Sequence, residues 1–110
     1  MPKDESFKDF ILDQLNGLSE VTASSMFSSF GLYSNNVFFG IINDGRLYFK
    51  ANEVTTQKYK DRAMKPFQPS LKQKLKNYFE VPGEIIEDSE ELLKWAKEAL
   101  SIWEKDDEKL

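Results

Sequence analysis

The chain has 110 residues, 40% of them hydrophobic and 14% aromatic, and a formal net charge of −4. Such a composition is typical of one globular domain with a single core and excludes a disordered chain. The chain contains no cysteine, which excludes a disulfide scaffold, and no run near the roughly 20 apolar residues of a membrane-spanning helix. The charged N-terminus is unlike a signal or transit peptide, so we expect a cytoplasmic protein without a membrane segment.

The first predicted element is a helix over residues 5–16. Its apolar residues recur at the three- and four-residue spacing of one buried stripe: Phe7, Phe10, Ile11, Leu15 and Leu18. Gly17 stands where a left-handed residue would end the helix. Residues 21–26 then favour an edge strand, and Ser28-Ser29 could bend or bulge the chain there.

Residues 30–51 predict three strands joined by two tight turns, and the rest of the fold should be built around them. Asn35-Asn36 and Asp44-Gly45 both suit the left-handed backbone of a two-residue hairpin turn. With two-residue turns, the glycine pair and one aromatic ring form a row across the strands: Gly31, Gly40 and Phe49. We expect that ring to cover the hollow beside the glycines.

This register also divides the side chains between two faces. One face would carry Tyr33, Phe38, Ile42, Leu47 and Phe49. The other face would carry Phe30, Leu32, Val37, Phe39, Ile41, Tyr48 and Lys50. Because both faces are apolar, the sheet needs a packing partner on at least one of them.

The second half of the chain predicts a short surface helix within residues 52–64, capped by Asn52 or Thr55 and packed through Tyr59 and Ala63. Strands are predicted at residues 67–69 and 74–81, around a turn at 70–73, and Pro82-Gly83 should end the second strand.

The last predicted element is a helix capped by Asp88 with Glu91 three residues later, or alternatively by Ser89. Its apolar face would carry Leu92, Trp95, Ala96, Ala99, Leu100 and Trp103. The prediction is therefore an α+β domain over residues 1–110, with an antiparallel sheet of about five or six strands and N- and C-terminal helices packed on it. Its core would span about residues 5–103, and the C-terminal tail should fray.

Few residues of the sequence suggest a catalytic or metal-binding site. Without histidine and cysteine, the usual nucleophile–base pairs and thiolate or imidazole metal sites cannot be built. The acids of residues 87–91 are best explained as caps and solvated groups, and those of residues 106–108 as a solvated tail. No glycine-rich phosphate loop occurs. We therefore expect no catalytic, cofactor-binding or metal-binding residues and no enzyme, unless a small-molecule pocket forms at the open edge of the sheet.

Charge is distributed unevenly along the chain. Residues 54–79 hold seven Lys and Arg against one acid, a net +6, whereas residues 80–110 carry −7. The candidate contact residues for a partner or a nucleic acid are Lys58, Lys60, Arg62, Lys72, Lys74, Lys76 and Tyr78. They could form a basic strip beside Tyr59 and Tyr78. The alternative is a solvated face balanced by the acidic C-terminal helix.

The order of short motifs resembles a known family. Ser25-Met26-Phe27, Phe30-Gly31-Leu32-Tyr33 and residues 37–42 are similar to the "MFGGYGLY…FALI" opening of the TfoX (Sxy) N-terminal domain. The likeness continues through Asp44, residues 47–50, Pro66-Phe67, Tyr78, Val81-Pro82, Asp88, Leu92, Trp95, Ala96 and Leu100. It differs in Ser28-Ser29, which replace the usual glycine pair.

This resemblance implies a bacterial protein related to regulators of natural competence. In the full-length regulators a C-terminal helical domain follows, and they are thought to be coactivators of transcription alongside the cyclic-AMP receptor protein. Because this chain stops soon after Trp103, we expect a standalone domain that is non-enzymatic and binds a protein partner, such as part of the transcription machinery. The alternative is a nucleic-acid-contacting module that uses the basic segment 58–76. The edge at residues 21–26 could also pair with a second copy to form a dimer.

Overall fold

The computed structural model describes residues 5–26, 28–70 and 73–108. Its helices are α1 (Glu5–Gln14), α2 (Thr56–Asp61), α3 (Gly83–Ile86) and α4 (Ser89–Glu108). Its strands are β1 (Val21–Met26), β2 (Ser29–Ser34), β3 (Val37–Asn43), β4 (Arg46–Lys50), β5 (Pro66–Ser70) and β6 (Gln73–Glu80). These six strands form one antiparallel sheet in the order β1-β2-β3-β4-β6-β5. Since α1 and α4 pack on this sheet, the predicted α+β class is confirmed.

Both predicted hairpin turns are confirmed. Asn35 and Asn36 have φ angles of 50° and 68°, and Asp44 and Gly45 have φ angles of 52° and 70°. Two consecutive left-handed residues give the turn whose twist matches that of the strands it joins. The pairs directly beside each turn are those predicted.

Away from the first turn the predicted register is wrong by one residue. Tyr33 faces Phe38 as expected, but Leu32 faces Gly40, so Phe39 is an extra residue in β3. This is a β-bulge, which places a register shift between two otherwise regular stretches of strand. Gly31 therefore does not lie beside Gly40, and the predicted row of two glycines and one ring is broken.

Because of the bulge, each predicted face is divided between the two sides of the sheet. On the helix side, the sheet contributes to the large core Phe30, Leu32, Phe39, Ile42, Leu47, Phe49 and Phe79. A smaller cluster contains Ile41, Tyr48, Phe67 and Tyr78, with Phe38 packed against it. The Phe49 ring does cover Gly40, since a Cβ there would lie 3.2 Å from Phe49 Cδ1. At Gly31 the covering ring is that of Phe38.

The first helix differs from its prediction at two positions. Ile11 and Leu15 are fully buried, but Phe10 is 43% exposed and does not belong to the buried stripe. Gly17 is not left-handed, and that conformation falls on Glu20, with φ 44°. A Cβ on Gly17 would come within 2.9 Å of Leu93 Cδ2, so this glycine makes room for α4.

The segment after β6 holds one element that the sequence did not predict. Pro82 leads directly into the short helix α3, which buries Ile85 and Ile86. The predicted cap of the last helix is confirmed, because Asp88 Oδ1 accepts a hydrogen bond from the Glu91 backbone N–H at 3.2 Å. The helix runs to Glu108, and the fraying of the tail stays a prediction.

Candidate interaction surface

The structure separates Tyr78 from the predicted contact residues at α2. Lys58 and Lys60 lie on α2 and Arg62 is its C-cap residue. Tyr78 lies in β6 and belongs to the cluster on the other face of the sheet, where burial raises its pKa to about 12. Lys74 and Lys76 are also positions of β6, and Lys72 lies outside the described residues.

The separation of Tyr78 from α2 follows from strand geometry. Tyr59 of α2 packs against Phe79, with 5.7 Å between ring centroids, and this places α2 on the helix side of the sheet. Because neighbouring residues of a strand point to opposite faces, Tyr78 points away from α2. Tyr59 itself is 1% exposed, so the expectation that it flanks a surface strip is wrong.

Two of the predicted cations form ion pairs with acids of α3 and α4. Lys58 Nζ lies 2.7 Å from Glu98 Oε1 and 4.0 Å from the centroid of the Trp95 ring. Arg62 Nε lies 3.6 Å from Glu84 Oε1, and its guanidinium carbon lies 5.3 Å from the same ring. Cations over an indole face are attracted by its π-electrons, so these contacts attach α2 to α4.

The backbone around α2 is fixed by side-chain and terminal hydrogen bonds. Asn52 Oδ1 accepts from the N–H groups of Val54 and Thr55 at 2.9 Å, and the Thr55 hydroxyl accepts from the Asn52 N–H at 2.9 Å. Both predicted capping residues therefore form the turn that precedes α2. At the other end Ala63 has φ 59°, and Met64 N–H donates to Tyr59 O, as in a Schellman motif.

Ala63 is consequently exposed and does not pack, contrary to its prediction. The packing position of α2 is Tyr59, whose ring meets the Trp95 ring edge-on at 5.0 Å. Its hydroxyl oxygen is buried and has no hydrogen-bond partner among the described residues. Burial, with the nearby Glu98 carboxylate, raises the pKa of Tyr59.

Beside α2 lies a cavity of about 460 Å³, which we call the α2 cleft. Its apolar walls are Ala51, Met64, Pro66 and Phe79. Its polar rim is formed by Asn52, Glu53, Thr56, Lys60 and Asn77. Lys60 and Glu53 are exposed and form no ion pair within the described part of the chain. The cleft can therefore take an apolar group together with a charged one.

A second cavity of about 460 Å³ lies at the edge of the sheet, next to β5. It is lined by Arg46, Tyr48, Lys65, Pro66, Gln68 and Glu80. Arg46 Nη1 lies 3.2 Å from Glu80 Oε1, so the guanidinium that could receive an anion here already has a carboxylate partner. Lys65 also lines this second cavity, but its lining is less apolar than that of the α2 cleft, so the α2 cleft is the better candidate for a ligand with an apolar group.

Sequence reasoning identified Lys60 but missed the cleft around it. Asn52 was predicted as a cap, while Ala51, Met64 and Asn77 had no assigned role beyond their strands or helix. The cleft forms where the chain from Ala51 through α2 to Pro66 meets Asn77 and Phe79 of β6. No local periodicity or spacing carries a signal for such a site.

The fold is that of an α+β domain in which a six-stranded antiparallel sheet carries its long helix and its first helix on one face. The sequence profile of the TfoX N-terminal domain matches residues 13–102. The chain therefore belongs to the TfoX N-terminal domain family, which is associated with competence and regulatory proteins. A search of curated proteins returned no significant match. Among the described residues, no helix is long and apolar enough to span a membrane.

Proposed function

We propose that this chain is a non-enzymatic regulatory domain that binds another protein at the α2 cleft, in the cytoplasm of a bacterial cell. The observation that carries the proposal is the cleft itself, where apolar walls and the exposed Lys60 lie together on the surface. Family membership supports a regulatory role, because the family is associated with competence and regulatory proteins. A component of the transcription machinery is the partner class that this association favours.

The cleft also indicates the chemistry of the partner. An apolar side chain would be buried against Phe79 and Met64, which favours association through the hydrophobic effect. A carboxylate beside that side chain would meet the Lys60 ammonium at the rim. The expected partner segment therefore combines an apolar anchor with an acidic residue.

The same contacts favour a protein over a nucleic acid. Binding to phosphates needs several free cations, since each contact contributes through the release of counterions. Lys58 and Arg62 are engaged by Glu98 and Glu84, which reduces the positive charge that α2 presents. Lys60, an exposed cation at the cleft, shares the rim with an acid, Glu53.

Site-specific photo-crosslinking in the host cell tests the proposal. A photoreactive amino acid is placed at Glu53 or Asn77 on the rim, and at Asp13 of α1 as a distant exposed control. We expect one protein to be captured from the two rim positions and not from the control. Lys60→Glu should abolish this capture. Lys97→Glu makes the same charge change at an exposed position of α4 and should preserve the capture.

Three results would contradict the proposal. The first is the absence of any protein captured specifically from the rim. The second is equal loss of capture in the two charge variants, which would indicate a general electrostatic effect. The third is turnover of a metabolite by the purified domain, or DNA binding at low salt that weakens steeply as salt is added.

A further inference from the structure

The strand β1 is at one end of the sheet, and one hydrogen bond fixes the direction of its backbone groups. Glu20 O accepts from the Asn35 N–H of the β2–β3 turn at 3.2 Å. In a trans peptide the N–H points opposite to the carbonyl, so the N–H of Val21 points away from β2. Because direction alternates along a strand, the N–H and C=O groups of Val21, Ala23 and Ser25 all point outward.

Strand β1 lacks the charges, prolines and bulges that commonly protect sheet edges. Val21–Met26 contains no charged residue and no proline, and all six of its residues pair with β2 without a register break. The opposite edge, β5, holds Pro66 and Pro69 and has two register irregularities. Proteins block exposed edges with charges, prolines and bulges, because unpaired backbone groups recruit other strands. Within residues 5–26, 28–70 and 73–108, the β5 edge is therefore blocked, whereas the β1 edge is open because no further strand pairs with it.

The open edge is complementary to itself. A two-fold axis perpendicular to the sheet at Ala23 would place Ala23 opposite its own copy and Val21 opposite Ser25 of the second copy. These pairs join outward-pointing backbone groups, so the two strands would exchange hydrogen bonds at each pair. Between them, Thr22 would face Ser24 of the second copy. Only small or β-branched uncharged side chains meet, and no charged side chain faces its equivalent.

We propose that β1 pairs antiparallel with β1 of a second copy of this chain, giving one continuous sheet through a two-fold dimer. A foreign strand is recognised by pockets or charges for its alternate side chains, in addition to backbone bonds. Val21–Met26 carries no charge, and its described side chains are small or point inward: Thr22, Ser24 and Ser25 are exposed, and Ala23 packs against the core. The partner that such an edge fits is its own copy.

This inference does not rest on the proposed function. In the sheet order, β1 is at one end, whereas the α2 cleft is lined by residues of β5 and β6 at the other end. A dimer would therefore leave both clefts accessible. A variant can therefore lose dimer formation and keep partner binding at the cleft, or the reverse, and each can be measured separately.

Light scattering and amide hydrogen exchange test the dimer together. We expect the mass to rise from 12.8 kDa toward twice that value as the protein is concentrated. The amides of Val21, Ala23 and Ser25 should become protected over the same concentration range. The amides of Thr22 and Ser24, which point toward β2, should be protected at every concentration.

Two charge variants test the register, and both carry Thr22→Lys. In Thr22→Lys/Ser24→Lys two lysines face each other twice across the axis, whereas in Thr22→Lys/Ser24→Glu each lysine faces a glutamate. Both positions are exposed, so the fold should be kept. Opposite charges stabilise cross-strand pairs and like charges destabilise them. The dissociation constant of the lysine–lysine variant should therefore exceed that of the lysine–glutamate variant by roughly tenfold or more.

A monomer at every concentration would overturn the proposal. So would a dimer with equal dissociation constants in the two variants, since that dimer would use another surface. Amides of Val21, Ala23 and Ser25 that exchange freely in a dimer would overturn it as well.

Discussion

The substitution Tyr59→Phe should stabilise this protein. Tyr59 is 1% exposed and its hydroxyl oxygen has no hydrogen-bond partner among the described residues. Burying an unpaired hydroxyl costs roughly 1–3 kcal/mol in mutational studies. The phenyl ring keeps its contacts with Trp95 and Phe79, and only the packing around the oxygen is lost. We expect a net gain of about 1 kcal/mol in the free energy of unfolding, or about 4–8 °C in Tm.

Urea unfolding followed by tryptophan fluorescence measures this change, because the Trp95 ring lies 5.0 Å from that of Tyr59. Tyr48→Phe is the control, since the Tyr48 hydroxyl is not among the buried unpaired atoms and its loss should change stability little. If Tyr59→Phe lowered the free energy of unfolding by 1 kcal/mol or so, the hydroxyl would have a partner in solution and the reasoning would be refuted.

Three further predictions concern other parts of the fold. Gly40→Ala should lower the free energy of unfolding by about 1–3 kcal/mol in thermal unfolding, because the added Cβ would lie 3.0 Å from a backbone carbonyl oxygen. Gly83→Ala is the control and should have no such cost, because the added Cβ would meet open space. Lys58→Met should cost about 1 kcal/mol in urea unfolding by removing an indole contact and an ion pair, whereas Lys60→Met should be neutral; equal losses would contradict this. The pKa of Tyr78, raised by burial to about 12 from 10.0, means that the folded chain keeps this proton longer than the unfolded chain. The free energy of unfolding should therefore fall as the pH rises from 10 toward 12. Unfolding measured at about pH 9 and about pH 11 should show a smaller fall for Tyr78→Phe than for the unmodified protein.

Those parts of the fold that depend on local chemistry were predictable. Asn35-Asn36 and Asp44-Gly45 determined both hairpin turns, because few residues adopt the left-handed backbone that such turns need. Asp88 was identifiable as a cap because a carboxylate three residues before a free N–H suits that role.

The parts that depend on long-range packing were not predictable. The bulge at Phe39 lies directly before Gly40, yet the sequence predicted Gly40 as the regular partner of Gly31, because a glycine within a strand can mark either a bulge or a close approach of another group. Phe10 repeats at helical spacing, yet it is exposed, whereas the other members of the predicted stripe pack in the core: Phe7, Ile11, Leu15 and Leu18. Ala63 ends α2 in a left-handed conformation in which glycine is the usual residue, so its exposure could not be anticipated.

The candidate site shows the same division. The sequence identified the basic character of α2, and with it Lys60. It could not indicate that Lys58 and Arg62 would be used to hold α2 on α4, because their acidic partners lie more than 20 residues away in sequence. The prediction that the cations of α2 and Tyr78 lie on one surface was wrong, because the direction of each side chain in β6 depends on the pairing of β6 with β4.

The order of the strands has a consequence for how the chain folds. Strands β1 to β4 follow one another in sequence and in space, so each pairing closes only a short loop, at small entropic cost. The pairing of β4 with β6 instead encloses α2 and β5, and it can form only after a much longer segment has been brought back. Sequence-local contacts form faster than distant ones, which favours a folding nucleus in the first four strands and late docking of the β5–β6 hairpin.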